Sequence, residues 1–387
     1  MKYLVLGAGK MGYAMAFDLI RSPKVDKVVI ADSDENAVKR IQDKLADPKI
    51  VPVQLDIKEE KDVAQLMANS DVTISCMPYE FNYELAKLAL QSKSHFVDLG
   101  GNNDVVEKTF QLDQIAKDQG VTIIPDLGLA PGLVSILAVS AAEVMDEIYD
   151  MRIRVGGLPV EPEDQLLEYG QFFSIEGLIN EYVEDCTVIR DGEIISVPSL
   201  TELEEIEFPK PLGTLEAFTT SGGCSTLPQT YKGRIQHLDY KTIRYPGHCD
   251  KINLLKQLGL MDKAEIKIGK HKIAPRAILS HLLNEKLAKN LPDVVVVRVT
   301  VTGVKDGEPL QMVWDGIDYG SEADGLTAMG RMTTFPASII AQMIARGDIK
   351  ERGVVRQEDV VPTKLFLAEL TSRGINITLT DRAPVYS

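Results

Sequence analysis

Arg244, Tyr245 and His248 fall within the seven residues TIRYPGH (242 to 248) of an otherwise acidic chain. An arginine guanidinium is a planar fork of donors that matches a carboxylate bidentately. A histidine, with an ordinary pKa near ~6.5, can carry protons around neutral pH. The cluster therefore has the makings of an anion site with a proton carrier beside it. A plainer use is open to each residue: Arg244 could pair with one of the 57 acidic side chains, Tyr245 could pack, and His248 could orient the turn into a helix opening near Asp250.

A second chemistry is written near the start, in YLVLGAGKMGYAMAFDLI. Gly7, Gly9 and Gly12 have the GxGxxG spacing of a dinucleotide-binding turn between a strand and a helix. Gly7 allows the tight turn, Gly9 lets backbone N–H groups approach a pyrophosphate, and Gly12 lets helix and strand lie close, with the phosphates at the positive helix end. Lys10 and Met11 lie inside this turn and count among the expected cofactor contacts. KVVIAD ends at Asp32, twenty residues beyond Gly12, where a carboxylate can accept from both ribose hydroxyls. Ser33, Asp34 and Glu35 follow, with no neighbouring cation evident. Like charges about 4 Å apart repel by roughly 4 kcal/mol at an effective dielectric of 20, so NAD is expected over NADP.

These residues need a scaffold, and the chain supplies an α/β one. Strand-like runs alternate with helical periodicity through VPVQLD, DVTISCMP, HFVDLG and VTIIPD, which predicts about six parallel strands in a doubly wound Rossmann sheet. Ligands lie beyond the carboxyl ends of such strands. That rule places Asp56, Met77, Pro78 and Gly100-Gly101 along the cofactor groove and Asp126 near the nicotinamide, with a helix N-cap as the competing use of Asp56. After DLGLAPG the rhythm changes. Hairpin signals at Asp191-Gly192 and Asp306-Gly307 predict a mainly antiparallel sheet, and a long apolar-faced helix is expected to start at Pro336.

Composition excludes several classes. The 387 residues are 44% hydrophobic, enough for two cores, and the formal charge is -15, which repels phosphate backbones and anionic lipid. Neither a nucleic-acid nor a membrane partner is expected. Four scattered cysteines without CxxC or Cys/His spacing point to reduced thiols, with no disulfide framework and no metal site. A strand-like segment two residues after Met1 leads to the expectation of no signal peptide and a cytoplasmic protein.

Five segments in order, GAGKMG, PDLGLAPGLVSILA, VGGLP at 155 to 159, LDYKTIRYPGH and TTFPASIIAQMIARGDIKERGV, resemble the saccharopine dehydrogenase and reductase family over nearly the whole chain. The run EAFTTSGGCSTLPQTY and the chain's size most resemble its bacterial lysine 6-dehydrogenases. The resemblance implies an NAD-binding Rossmann domain at 1 to 128, an inserted substrate and oligomerisation domain at 129 to 335, and a C-terminal helical segment at 336 to 387 returning to the first. A homo-oligomer built on dimers is expected. The implied reaction oxidises the carbon bearing the ε-amine of L-lysine, and water then releases ammonia to leave 2-aminoadipate 6-semialdehyde, which can cyclise. Arg244 would hold the α-carboxylate, Thr220 or Ser221 the amino-acid head, Phe172 and Phe173 the methylene chain, and Tyr245 would donate or pack. His248, then Asp126, are the expected general bases. Fungal members carry an aspartate in GLDPG where this chain has Ala130 in GLAPG, a departure that argues against a saccharopine reaction without excluding it. The alternatives are a saccharopine or carboxynorspermidine dehydrogenase, drawing on Arg152, Arg154 and Arg234 for further anions, and an NAD sensor without catalysis.

Overall fold

The computed structural model describes residues 1–163, 165–287 and 290–382. The backbone packs as two compact units. Met1–Ser140 and Gly330–Ile375 form one, and Ala141–Met329 with the residues from Asn376 forms the other. These boundaries differ from those expected at 128 and 335.

The first unit is built on β1 (Lys2–Leu6), β2 (Lys27–Asp32), β3 (Ile50–Gln54), β4 (Val72–Ser75), β5 (His95–Asp98) and β6 (Thr122–Ile124), all parallel in the order β6-β5-β4-β1-β2-β3. The runs YLVL, VVIA and VTIS are buried without a break, as a sheet covered on both faces requires. Strand order reverses beside β1, which opens the crevice where such sheets take ligands. One strand was not anticipated: Gly353–Val354 pairs parallel with β6.

The C-terminal helix begins at Ala328 and holds Pro336 in its interior, not at its start. Proline is favoured in a first helical turn, but here it stands in the interior of Ala328–Arg346. Burial explains why the helix tolerates it, since Met332, Phe335, Ile339, Ile340 and Met343 are fully buried and their packing outweighs one lost backbone hydrogen bond. Further along, Arg373 Nε donates to both carboxylate oxygens of the buried Asp18 at 2.8 and 3.0 Å, tying the segment to the helix Lys10–Arg21.

The second unit carries β7 (Glu147–Pro159), β8 (Cys186–Arg190), β9 (Glu193–Val197), β10 (Glu204–Glu207), β11 (Thr214–Thr219), β12 (His237–Arg244), the small hairpin β13 (Ile266–Ile268) and β14 (His271–Ile273), β15 (Asp293–Lys305) and β16 (Glu308–Asp318). Its large sheet is antiparallel except where β12 runs parallel to β7. Both foreseen hairpin turns form. Asp191 and Gly192 (φ 51° and 80°), like Asp306 and Gly307 (φ 52° and 80°), have the positive angles of a two-residue turn that matches strand twist. The terminal strand Ile377–Arg382 pairs with β16, so these last residues extend this sheet.

Two cores flank the large sheet. One gathers Leu178, Tyr182, Phe218, Ile252 and Leu279 beneath the helices Ile175–Val183, His248–Gln257 and Pro275–Lys286. The other holds Leu158, Leu215, Ile243 and Val296. Among the described residues, no helix is long and apolar enough to cross a membrane.

Candidate functional site

The glycine turn is a cradle whose shape depends on missing side chains. Gly7 has φ +100°, and a Cβ there would lie 2.9 Å from the Cys76 carbonyl oxygen, while a Cβ on Gly12 would lie 1.9 Å from that of Gly7. Gly9 is different: a Cβ there meets nothing within 4 Å. Gly7 and Gly12 thus serve the fold, and Gly9 leaves open the space at the start of the helix Lys10–Arg21 where a pyrophosphate would approach. Asp32 is fixed beside it, with Oδ2 accepting from Ala8 N at 2.7 Å and Oδ1 from Asp34 N at 2.9 Å. Each oxygen keeps a lone pair for a ribose hydroxyl. These residues fit a dinucleotide. Ser33 is exposed at the same strand end. A cation is also present: Arg40 Nη2 lies 3.6 Å from Asp34, both side chains being largely exposed.

Along the other strand ends, Met77 packs beside Gly7, its sulfur 3.2 Å from where a Cβ would sit, and Pro78 precedes the short turn Tyr79–Phe81. Asp56 closes a local turn by accepting from Lys58 N at 3.0 Å, so it is not the N-cap of the helix Glu60–Ala68, a position held by Glu59. Asp126 is buried with φ +61°. Its carboxylate lies over Gly100, where a Cβ would meet Oδ1 at 2.1 Å. Asp98, at the end of β5, accepts from Gly100 N at 2.8 Å and Asp126 N at 3.2 Å. Burial pushes its carboxyl up to about 6, against those two hydrogen bonds.

Arg244 ends β12 and is 2% exposed. Its Nε donates to the Tyr182 hydroxyl at 3.3 Å, its Nη1 to the Ile243 carbonyl at 2.9 Å, and its guanidinium carbon sits 4.7 Å from the Tyr169 ring centre. Nη2 makes no hydrogen bond to the described residues. The nearby Glu181 Oε2 is 4.0 Å from it, beyond hydrogen-bond reach. Burial pushes the Glu181 carboxyl up to about 7 while Arg244 pulls it down.

His248 opens the helix His248–Gln257 and is 1% exposed. Glu216 holds that helix start, accepting from Gly247 N at 2.8 Å and Cys249 N at 2.6 Å. The imidazole Nδ1 lies 2.9 Å from the Leu167 carbonyl and Nε2 lies 3.0 Å from the Tyr182 hydroxyl. A carbonyl only accepts, so Nδ1 carries the hydrogen and Nε2 accepts from Tyr182, which in turn accepts from Arg244. Burial, then the Arg244 charge, pull the histidine pKa down to about 3. Against the expectation of a general base, this placement fits a residue that holds Tyr182 and Arg244.

The same shift has a thermodynamic signature. The folded-state pKa of about 3 lies below the ordinary value of 6.5, so the unfolded chain binds a proton first. Stability is complete above pH ~6.5 and is lost as pH falls toward about 3, by up to ~1.4 kcal/mol per pH unit. Urea unfolding between pH 7 and 4 should show the advantage of the native protein over His248→Gln shrinking as pH falls. An advantage independent of pH would mean that folding does not suppress protonation of His248.

Other expected contacts are dispersed. The Tyr245 hydroxyl donates to the Pro159 carbonyl at 3.0 Å and its ring packs on the core that contains Leu158, Ile243 and Val296, not on the one that contains Tyr182. Thr220 is buried, its hydroxyl 2.6 Å from that of Thr242, and Phe173 packs on the core containing Tyr182. Of the arginines available for extra anions, Arg154 bonds Asp239 (2.6 Å) and pairs with Glu204, Arg152 pairs with Asp150 (2.8 Å), and Arg234 lies over Tyr231. Glu181, Tyr182 and Tyr169 were not foreseen as neighbours of Arg244. Leu178 and Tyr182 have the spacing of an ordinary core face, and only the acid next to that tyrosine in LINEYV hinted otherwise.

Comparison with known proteins agrees with this architecture. The description "Saccharopine dehydrogenase NADP binding domain" matches residues 3–124, and "Saccharopine dehydrogenase C-terminal domain" matches residues 128–375. The NADP(+)-dependent, L-glutamate-forming saccharopine dehydrogenase of Pyricularia oryzae is 27% identical over 222 residues, 55% of this chain and 48% of that protein. The chain thus spans about half the length of that relative, and 28% of the bovine mitochondrial alpha-aminoadipic semialdehyde synthase. Carboxynorspermidine synthase of Vibrio cholerae is 22% identical over 99% of this chain and 98% of its own length. Among solved structures, the apo L-Glu-forming saccharopine dehydrogenase of Saccharomyces cerevisiae superposes with a TM-score of 0.79 at 19% identity, covering 99% of this chain and 100% of its own, and so shares the fold. With a nicotinamide-dinucleotide-binding domain followed by its characteristic partner domain, the chain belongs to the saccharopine dehydrogenase family.

Proposed function

We propose that this protein is an NAD-dependent dehydrogenase that oxidises the carbon bearing the ε-amine of L-lysine, releasing ammonia and 2-aminoadipate 6-semialdehyde. One observation carries the choice of an α-amino acid: the buried guanidinium of Arg244, braced through Nε and Nη1, with Nη2 not hydrogen-bonded to the described residues. A buried charge left short of partners is costly, and a substrate α-carboxylate would relieve it with charge-assisted bonds.

The open turn at Gly9, the helix start behind it and Asp32 would hold the dinucleotide. When bound, its nicotinamide accepts a hydride from the carbon next to the reacting nitrogen. The chain must supply a base, because a lysine ε-amine with a pKa near ~10.4 is almost wholly protonated at neutral pH. Asp126 is the candidate we retain, with the Asp98 carboxylate accepting from its backbone N–H. His248 and Tyr182 brace Arg244. Asp32 beside Asp34 favours NAD by repelling a 2′-phosphate, and the Arg40 guanidinium lies 3.6 Å from Asp34.

Absorbance of the reduced cofactor tests this in one assay. Turnover is expected with L-lysine and NAD, and much less with NADP. Turnover with saccharopine or carboxynorspermidine but not lysine would replace the reading with a secondary-amine dehydrogenase. Failure of every amine, with dinucleotide still bound, would leave a sensor.

A further inference from the structure

Two other largely buried arginines close on their acids. Arg373 reaches Asp18 at 2.8 and 3.0 Å and Arg276 reaches Glu176 at 2.8 Å. Arg244 and Glu181 stay apart at 4.0 Å, and among the described residues the Glu181 carboxylate accepts no hydrogen bond. This is not a surface pair loosened by water. Arg244 is held from behind by Tyr182, and Tyr169, Tyr182 and Tyr240 stand near enough for the Glu181 charge to raise each of their pKa values. Glu181 retains 31% side-chain exposure, so a ligand can reach it.

An open pair of opposite charges suits a ligand that presents both charges on one small frame. The head of an α-amino acid does so, with carboxylate and ammonium on a single carbon. We propose that Glu181 accepts the α-ammonium of the amino acid whose α-carboxylate Arg244 takes, and so makes the site select amino acids over plain ω-amino acids. The inference rests on the function proposed above. It also divides the work between acids: the ε-nitrogen lies beyond four methylene groups from the α-carbon, so a carboxylate placed beside Arg244 reads the head and not the reacting end.

The test compares L-lysine with 6-aminohexanoate, which keeps the carboxylate and terminal amine but lacks the α-amine. A hydrogen bond between charged groups predicts that the native enzyme prefers lysine by roughly 10- to 100-fold in kcat/KM. In Glu181→Gln that preference should fall to within about threefold, through loss of lysine activity with 6-aminohexanoate little changed, and Glu181→Asp should recover part of it. An undiminished preference, or an equal loss on both substrates, overturns the proposal. Thermal unfolding of both variants shows whether they remain folded. Should the native enzyme oxidise neither compound, the functional reading fails, and calorimetric titration decides Glu181 separately. Tighter binding of lysine that disappears in Glu181→Gln supports the head-group role; equal binding of the two compounds, or none, overturns it.

Discussion

Replacing Arg244 with alanine is expected to raise the KM for L-lysine by roughly 30- to 3000-fold, the span that corresponds to losing one member of a desolvated charge pair. The dinucleotide dissociation constant should stay within about twofold, because the cradle at Gly7, Gly9, Gly12 and Asp32 is built by the other packing unit. Steady-state kinetics and a dinucleotide titration read the two quantities separately. Arg244→Lys should fall between the native enzyme and the alanine variant, since an ammonium keeps the charge but cannot present the same pair of donors from its place 4.7 Å from the Tyr169 ring centre. A KM unchanged in Arg244→Ala would remove the α-carboxylate from this guanidinium, and with it the observation that carries the choice of an α-amino acid.

The second large effect separates two glycines three residues apart. Gly12→Ala sets a methyl group 1.9 Å from the Gly7 carbonyl oxygen. Both partners are backbone, so neither can rotate away and strand and helix must part. Overpacking costs about 1 to 3 kcal/mol where side chains can yield, and here the upper end or more is expected, a fall in Tm of roughly 6 to 12 °C. Gly9→Ala should leave Tm nearly unaltered, because its methyl group meets nothing. It should weaken dinucleotide binding at least ~10-fold by occupying the pyrophosphate's approach. Differential scanning calorimetry with a binding titration distinguishes the two. If Gly9→Ala binds dinucleotide normally, the open space at Gly9 is not where the phosphates lie.

The parts of the structure legible in the sequence are those fixed by local rules. GxGxxG with an acid twenty residues on defines a turn whose tightest contact, Gly12 against Gly7, lies within the motif, and Asp-Gly between alternating strands defines a hairpin whose angles few other pairs adopt. Long-range pairing was less accessible. Gly353–Val354 is too short for any periodicity to announce it, and Ile377–Arg382 becomes a strand because β16 offers an edge. Tyr245 was grouped with Arg244 because they adjoin in sequence. The alternation of side chains at a strand end sends neighbours to opposite faces, and Tyr245 packs on the core that holds Ile243. His248 has the residue type of a proton carrier, but burial among Tyr169, Tyr182 and Phe218 decides its behaviour, and burial of that kind comes from segments far away in the chain. Glu181 was hidden for the same reason.

Each large sheet takes one strand from the last tenth of the chain: Gly353–Val354 in the parallel sheet and Ile377–Arg382 in the mixed one. During synthesis, β6 and β16 therefore wait with unsatisfied backbone edges until the segments Gly353–Val354 and Ile377–Arg382 have emerged. Such edges invite pairing with other chains. Nascent protein should thus be most vulnerable to aggregation before those segments emerge, and a chaperone that shields strand edges would help it most over that interval.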